Sequence, residues 1–383
     1  MKDTIRPAIV AVGYDRADSM HRLLSSIGAA CFAYDDIPLI ISIDRGAHSE
    51  DVVKVAQEFQ WNYGTKRIIR HSQRQGLRSH ILQCGDLSQQ YGAVIILEDD
   101  IAVSPWFYHY IDHAVPYYYG DEQIAGFALY SHQWNGYAKR FFEPVPHAAD
   151  CYLGQYSVTW GQCWTDRQWM AFREWYGDGN RVLAANPSVP KEVTGWPETS
   201  WGKYFAHYLA EKNRYYLMPY HALATNFSET GQHEKAPDSR HQVALMMGKR
   251  DYRFLPSCEL LRYDMFFESC DVSRYLGEEI RADGICVDLY GHKCDYGKAR
   301  YILTTRTLPY ERVRSYGLQM RPHELNIQYG IAGCEIILYD RNKKGEITKS
   351  ARRTVMKYDL KGITLKALAC YLILELPHRL RRK

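Results

Sequence analysis

The sequence predicts an α/β fold, a mostly parallel sheet with helices on both faces. A smaller C-terminal α+β region and a terminal amphipathic helix follow it. Three observations carry that expectation. Short apolar runs alternate with segments whose apolar residues recur at helical spacing through the first hundred residues. Acidic residues stand at the carboxyl ends of those runs, where open parallel sheets bind their ligands. Finally, residues 341–383 hold 13 Lys or Arg against 3 Asp or Glu, a local +10 in a chain whose formal net charge is +4.

In order, residues 8–12 form an apolar run closed by Gly13, Tyr14, Asp15 and Arg16, and Met20, Leu23, Leu24 and Ile27 then recur as one face of a helix. Pro38 precedes a second strand over 39–43, closed by Asp44, Arg45 and Gly46. Val52, Val53, Val55, Ala56 and Phe59 mark a second helix, 67–70 a third strand, and Ile81, Leu82 and Leu87 a third helix. Residues 93–97 are a continuous apolar strand ending in Glu98, Asp99 and Asp100. From 127 to 227 the pattern is less regular and rich in Trp, Tyr, Gly and Pro. A loop over 186–199 runs across the surface, a helix follows from 201 to 209 and a strand over 215–218. Three further strands are expected at 286–290, 300–305 and 335–339.

Composition bounds the function. With 46% hydrophobic and 14% aromatic residues over 383 positions, the chain has material for a large core, which excludes a disordered protein. Its longest apolar stretch, 368–374, is far short of the roughly 18 residues of a membrane span. No cationic leader opens it, so a cytoplasmic location is expected, peripheral on the inner face of the plasma membrane if the tail binds lipid. Ten cysteines without a CxxC pair read as reduced thiols. The small net charge excludes nucleic acid as a partner.

Three consecutive acids after a buried strand are costly unless positive charge sits beside them. On an extended backbone Glu98 and Asp100 would share one side and Asp99 the other. Such a cluster suits Mg2+ or Mn2+, hard cations that keep open positions for a diphosphate. The plain alternative is a solvated turn or helix cap.

The motifs occur together. AIVAVGYDR, LIISIDRG, QGL and AVIILEDDIAVSPWFYHY, followed by YSVTWGQCWTDRQW and HALATNFSETGQH, resemble nucleotide-sugar glycosyltransferases of the GT-A fold, whose sheet is Rossmann-like. The likeness is to the N-acetylglucosaminyltransferase I type and to bacterial capsule and surface-polysaccharide transferases, over residues 6 to 245. It implies a transferase domain at 1–245, with a donor half to about 125 and an acceptor half from 126, an accessory region at 246–340 and a basic tail at 341–383. The implied reaction is metal-dependent, inverting transfer from a UDP-sugar to a glycan or lipid-linked glycan.

The resemblance also implies roles for matched positions. Asp44 would bind the uracil or ribose, Tyr14 and Arg16 would line the nucleotide pocket, and Asp100 would ligate the metal. Glu98 and Asp99 would face the donor sugar, and His233 would contact the diphosphate or complete the metal site. Arg16 could instead pair with Asp15 or Asp18, and His233 could be an ordinary surface residue. Trp160 is an acceptor-site candidate, with core packing as its alternative. The relatives place a catalytic aspartate just after a tryptophan, but Gly202 follows Trp201 here. Glu198 is therefore the substitute base, with Glu192 behind it; its alternative is a helix N-terminal acid. Two other readings remain: a degenerate transferase serving as a membrane-associated binding module, and a sugar nucleotidyltransferase. The second lacks the glycine- and lysine-rich phosphate loop it would need after the first strand.

In the tail, Ile363, Ala367, Cys370, Tyr371 and Leu374 fall at helical spacing over 360–374, with Pro377 as the expected stop before a run of Arg and Lys. A basic amphipathic helix suits an anionic membrane surface; a docked C-terminal helix is the alternative.

Overall fold

The computed structural model describes residues 5–179, 181–227, 239–347, 351–360 and 363–380. The chain divides into two compact units, Met1–Asp271 and Val272–Lys383.

The first unit opens with β1 (Ala8–Gly13), α1 (Ala17–Gly28), β2 (Leu39–Ile43), α2 (Ser49–Glu58), β3 (Lys66–Arg70), α3 (Leu77–Asp86) and α4 (Ser88–Tyr91). It continues through β4 (Ala93–Glu98), β5 (Ile101–Val103), α5 (Phe107–Tyr118) and β6 (Ile124–Ala128). A small hairpin, β7 (Trp134–Asn135) and β8 (Arg140–Phe141), precedes β9 (Cys151–Gly154), β10 (Gln162–Thr165) and α6 (Asp166–Tyr176). The unit ends with α7 (Lys191–Thr194), α8 (Trp201–Lys212), β11 (Tyr215–Pro219), β12 (Ala224–Asn226) and β13 (Arg262–Tyr263).

Nine of these strands form one sheet in the order β13-β9-β11-β6-β10-β4-β1-β2-β3. β3, β2, β1 and β4 run parallel, as the alternation of strand and helix signals requires. β10 is antiparallel between β4 and β6, and neither β9 nor β10 stands out in the sequence. Both are four-residue runs inside a Trp- and Tyr-rich segment, too short for a period to show.

Side chains alternate across the sheet. Ile9, Ala11, Leu39, Ile41, Ile95 and Leu97 pack against Leu23, Leu24 and Ile27 of α1, Val52 and Ala56 of α2, and Phe107 and Ile111 of α5. Val10, Ile40, Val94 and Ile96 face the other way, equally buried, on the side where α3, α4, α6 and α8 pack. Each such side chain contributes about 1.5–3 kcal/mol by leaving water. On this second face Trp164 is fully buried between Trp169 and Phe205, with ring centroids 4.6 and 5.6 Å away. Gly126 makes room for it: a Cβ there would lie 2.7 Å from Trp164 Cδ1.

The first unit runs on past residue 245. Met246, Tyr252, Phe254 and Leu255 pack on its core, Leu260 is part of it, and β13 pairs with β9. Residues 246–271 therefore belong with the main sheet rather than with an accessory region.

The second unit contains α9 (Glu278–Ala282), β14 (Ile285–Asp288), β15 (Tyr301–Thr304), β16 (Tyr310–Tyr316), α10 (His323–Gln328) and β17 (Ile336–Lys344), then α11 (Arg352–Asp359) and α12 (Leu365–Leu380). Its four-stranded sheet has the order β14-β15-β17-β16. Leu303 and Leu338 enter one core, while Ile302 and Ile337 enter a second on the opposite face. β16 gives no strand signal in the sequence, because Tyr-Glu-Arg-Val-Arg-Ser-Tyr is an edge strand with mostly exposed side chains. Residues 341–344 of the expected tail are the end of β17. The expected helix over 360–374 is displaced. α11 closes at Asp359, and α12 starts after Thr364, whose hydroxyl caps the amide of Ala367 at 3.2 Å. Pro377 does not stop α12, which runs to Leu380; a proline removes one amide donor from a helix without ending it.

Candidate functional site

Register sets the site. Gly13 at the end of β1 lies beside Ile43 at the end of β2, and Val12 lies beside Glu98 at the end of β4. The loops carrying Tyr14 to Arg16, Asp44 and Glu98 to Asp100 therefore leave the sheet at one edge.

Asp44 is buried and its carboxylate accepts three backbone amides: Arg45 at 2.8 Å, Gln75 at 2.7 Å and Gly76 at 2.9 Å. Gly76, with φ of 75°, stands just before α3. Two sequence motifs, LIISIDRG and QGL, thus make one device in which Asp44 fixes the turn into α3. Asp15 does the same for the next loop, accepting the amides of Ala47 at 3.2 Å and His48 at 3.0 Å. A Cβ at Gly46 would stand 2.0 Å from Asp15 Oδ1, so a side chain there would displace the carboxylate from those two amides.

Arg16 donates to Asp99 Oδ1 in an ion pair whose carboxylate is buried. A positive group thus sits beside the acidic trio, as the burial of Asp99 demands. The ring of Tyr14 lies 5.2 Å from the guanidinium of Arg74.

The backbone does not continue extended through the trio. β4 ends at Glu98, and Asp99 and Asp100 form a turn into β5, so the simple alternation of sides fails there. Burial, then the charges of Asp100 and Asp99, push the Glu98 carboxyl well above its ordinary range, against the pull of Arg16. Asp100 is held from the far end of the segment. Ile101 pairs with Asn226 across β5 and β12. The Asn226 amide donates to Asp100 Oδ2 at 3.1 Å, and the Phe227 amide donates to the Asp100 carbonyl at 2.7 Å. Asn226 carries no assigned role in the sequence reading, although the motif containing it is visible there.

Glu198 lies before α8, with its side chain 68% exposed. Lys203 Nζ donates to one carboxylate oxygen and the Tyr204 hydroxyl to the other, each at 2.5 Å. Those two bonds hold its carboxyl below the ordinary value. Arg78 of α3 donates to the Glu198 carbonyl at 2.8 Å and to the Tyr204 hydroxyl at 2.9 Å. A general base works best with its pKa raised toward the operating pH, so this clasp speaks against that role and for one in fixing α8 to α3. Arg78 and Tyr204 give no signal in the sequence because their contact forms only where α3 meets α8. A Cβ at Gly202 would stand 3.2 Å from Ser157 Oγ, so the position could take a side chain only with a small adjustment.

Trp160 is partly exposed, with its ring 4.8 Å from Tyr130, 5.9 Å from His132 and 4.6 Å from His241. Trp164 is wholly core, its indole N–H bonded to the Tyr216 hydroxyl at 3.1 Å. His233 lies outside the described residues.

Among the described residues no three His, Cys, Asp or Glu side chains gather tightly enough to cage a metal by themselves. What the site offers is the carboxylate of Asp100, steadied by Asn226. That suits a cation such as Mg2+, held by one or two carboxylates with water and substrate phosphates completing its shell.

No family model and no curated protein matches the chain. Among solved structures it has a loose likeness to S. aureus TarS 1-349 in complex with UDP-GlcNAc: 10% identity, 60% of this chain and 61% of that one, TM-score 0.38. TarS 1-349 alone gives 12% identity over 57% and 59%, TM-score 0.35. The mannosyltransferase PcManGT from Pyrobaculum calidifontis, in complex with GDP-Man and Mn2+, gives 12% over 56% and 55%, TM-score 0.34. The chain spans about three fifths of the length of each. Likenesses this loose carry no argument about chemistry.

Proposed function

We propose that the first unit binds a nucleotide-sugar, a UDP-sugar in the first instance, and transfers its sugar to a glycan or lipid-linked glycan hydroxyl with inversion. The observation supporting this most directly is the convergence, at the carboxyl edge of β1, β2 and β4, of an acidic trio with Asp99 buried and Glu98 and Asp100 half-buried, a guanidinium, and two loops fixed by carboxylates. Arg16 has a planar donor fork suited to phosphate. Glu98, at the carboxyl end of β4, offers carboxylate oxygens to sugar hydroxyls. Tyr14 offers a ring face to the base, and Asp44 holds the α3 turn that borders the nucleotide. Asp100, steadied by Asn226, would hold Mn2+ or Mg2+. When bound, that cation would offset negative charge on the departing diphosphate.

The test is calorimetry with UDP and with a UDP-sugar, each with and without Mn2+, paired with a donor-hydrolysis assay. Metal-dependent binding with turnover is the expected result. Failure to bind either ligand would end the reading.

One observation favours a second reading, a donor-binding module without transfer. Gly202 stands where the relatives' aspartate would be, and Glu198 is clasped by Lys203 and Tyr204. Binding without hydrolysis or transfer would select it.

A further inference from the structure

We propose that α11 and α12 dock the second unit on an anionic lipid bilayer, α11 serving as the anchor and α12 as the element that enters the headgroup region. The inference is independent of the donor site.

α11 belongs firmly to its unit. Val355 and Tyr358 pack against the core of that unit. The Tyr358 hydroxyl donates to the Met320 carbonyl at 2.9 Å, its ring lies 5.0 Å from His323, and the Arg321 guanidinium stands 4.0 Å over it. α12 shows the opposite character. Leu365 is 85% exposed and Ile373 68%, and Tyr371, Leu372 and the preceding Ile363 are each close to half exposed or more. Leu365 and Leu372 lie on one side of the helix, while Tyr371 lies off it, so the exposed apolar surface extends beyond a single stripe. A helix apolar around much of its circumference is a buried helix in search of its surroundings. The helix is not long and apolar enough to cross a membrane, which leaves insertion into one leaflet or burial against protein.

Charge decides between them. Residues 352–383 carry 9 basic against 2 acidic residues. A second copy of this segment would bring +7 against +7, whereas anionic headgroups meet that charge with its opposite. Lys366, inside the apolar run, can extend its stem along the helix and keep its ammonium at the headgroups.

The test is co-sedimentation of the full chain with two vesicle types, phosphatidylcholine alone and phosphatidylcholine mixed with phosphatidylglycerol. The expected result is a preference of roughly tenfold or more for the anionic vesicles, weakened by salt. The double variant Leu372→Asp, Ile373→Asp should lose roughly tenfold of that binding, with unchanged thermal unfolding because both side chains are already in water. Equal binding to both vesicle types, or binding untouched by the double variant, would overturn the proposal. So would absence of vesicle binding with a dimer, seen by sedimentation velocity, that the same variant dissociates; that outcome assigns the apolar helix to a second copy.

Discussion

Beyond the ends of β1, β2 and β4, the acids Asp15, Asp44, Asp99 and Asp100 are each bound to a neighbour: loop amides, a guanidinium or a side-chain amide. Beyond the end of β6 the surroundings are aromatic instead. Tyr156 stacks on Phe267 at 4.0 Å, His132 stands 4.7 Å from Tyr156, and Tyr130 packs on Trp160. The first region is organised before any ligand arrives, with charges fixed where a diphosphate would need them. The second offers ring faces, which suit a sugar. On the proposed reading, the fixed charges of the first region serve the donor and the rings of the second serve the acceptor.

The largest effect should come from Asp100→Asn. If this carboxylate is what the chain gives the cation, donor affinity by calorimetry should fall on the order of a hundredfold, and the response to added chelator should vanish. An unchanged isotherm would remove the distinction between the two regions at its source.

Asp44→Ala tests pre-organisation itself. It strips three amides of their acceptor in a buried place, at a cost of about 2–4 kcal/mol, measurable as a lower urea midpoint. Donor affinity should fall with it, because the turn into α3 is no longer fixed. Full stability in this variant would mean that the loop is held by something else.

A pH titration compares the regions directly. His80 donates to or accepts from Ser42 at 2.7 Å, and burial, with the nearby His71, pushes its pKa down to about 4. His132 is pushed down to about 3 by burial and His241. The unfolded chain takes up protons at an ordinary imidazole pKa, so both residues contribute stability that is complete above about pH 6.5 and is lost as the pH falls toward their folded values. The loss for His80 is about 3 kcal/mol by this linkage, and His80→Gln should flatten that part of the pH profile. A wild-type profile level from neutrality to acid would show that neither imidazole is held neutral.

The sequence made the first region readable for a physical reason. Strand, turn and helix there are local, so the 8–12, 39–43 and 93–97 runs locate β1, β2 and β4 to within a residue, and parallel pairing then brings their ends together. What pairs with what was not readable. Arg16 meets Asp99 across 83 positions and Asn226 meets Asp100 across 126, and no local pattern encodes either. The four-residue strands β9 and β10 were hidden for want of length. The extension of the first unit to Asp271 was hidden because β13 has only two residues. The place of Glu198 in a motif suggests a base, whereas its chemistry is set by Lys203 and Tyr204 in the first turn of α8.

Glu198→Gln carries the smallest stability effect and the sharpest mechanistic one. Its carboxyl is held below the ordinary value, so its contribution to stability is present above about pH 4.5 and is lost as the pH falls through the lower folded value. Solvent faces the carboxylate, which keeps that contribution below about 1 kcal/mol. Glutamine keeps the shape and one acceptor for Lys203 or Tyr204, so the α3–α8 contact should survive. If the clasp is its whole role, turnover at saturating donor should stay within roughly threefold of wild type, whereas loss of a general base costs about 10²–10⁴-fold. A fall of the larger size would return Glu198 to the chemistry.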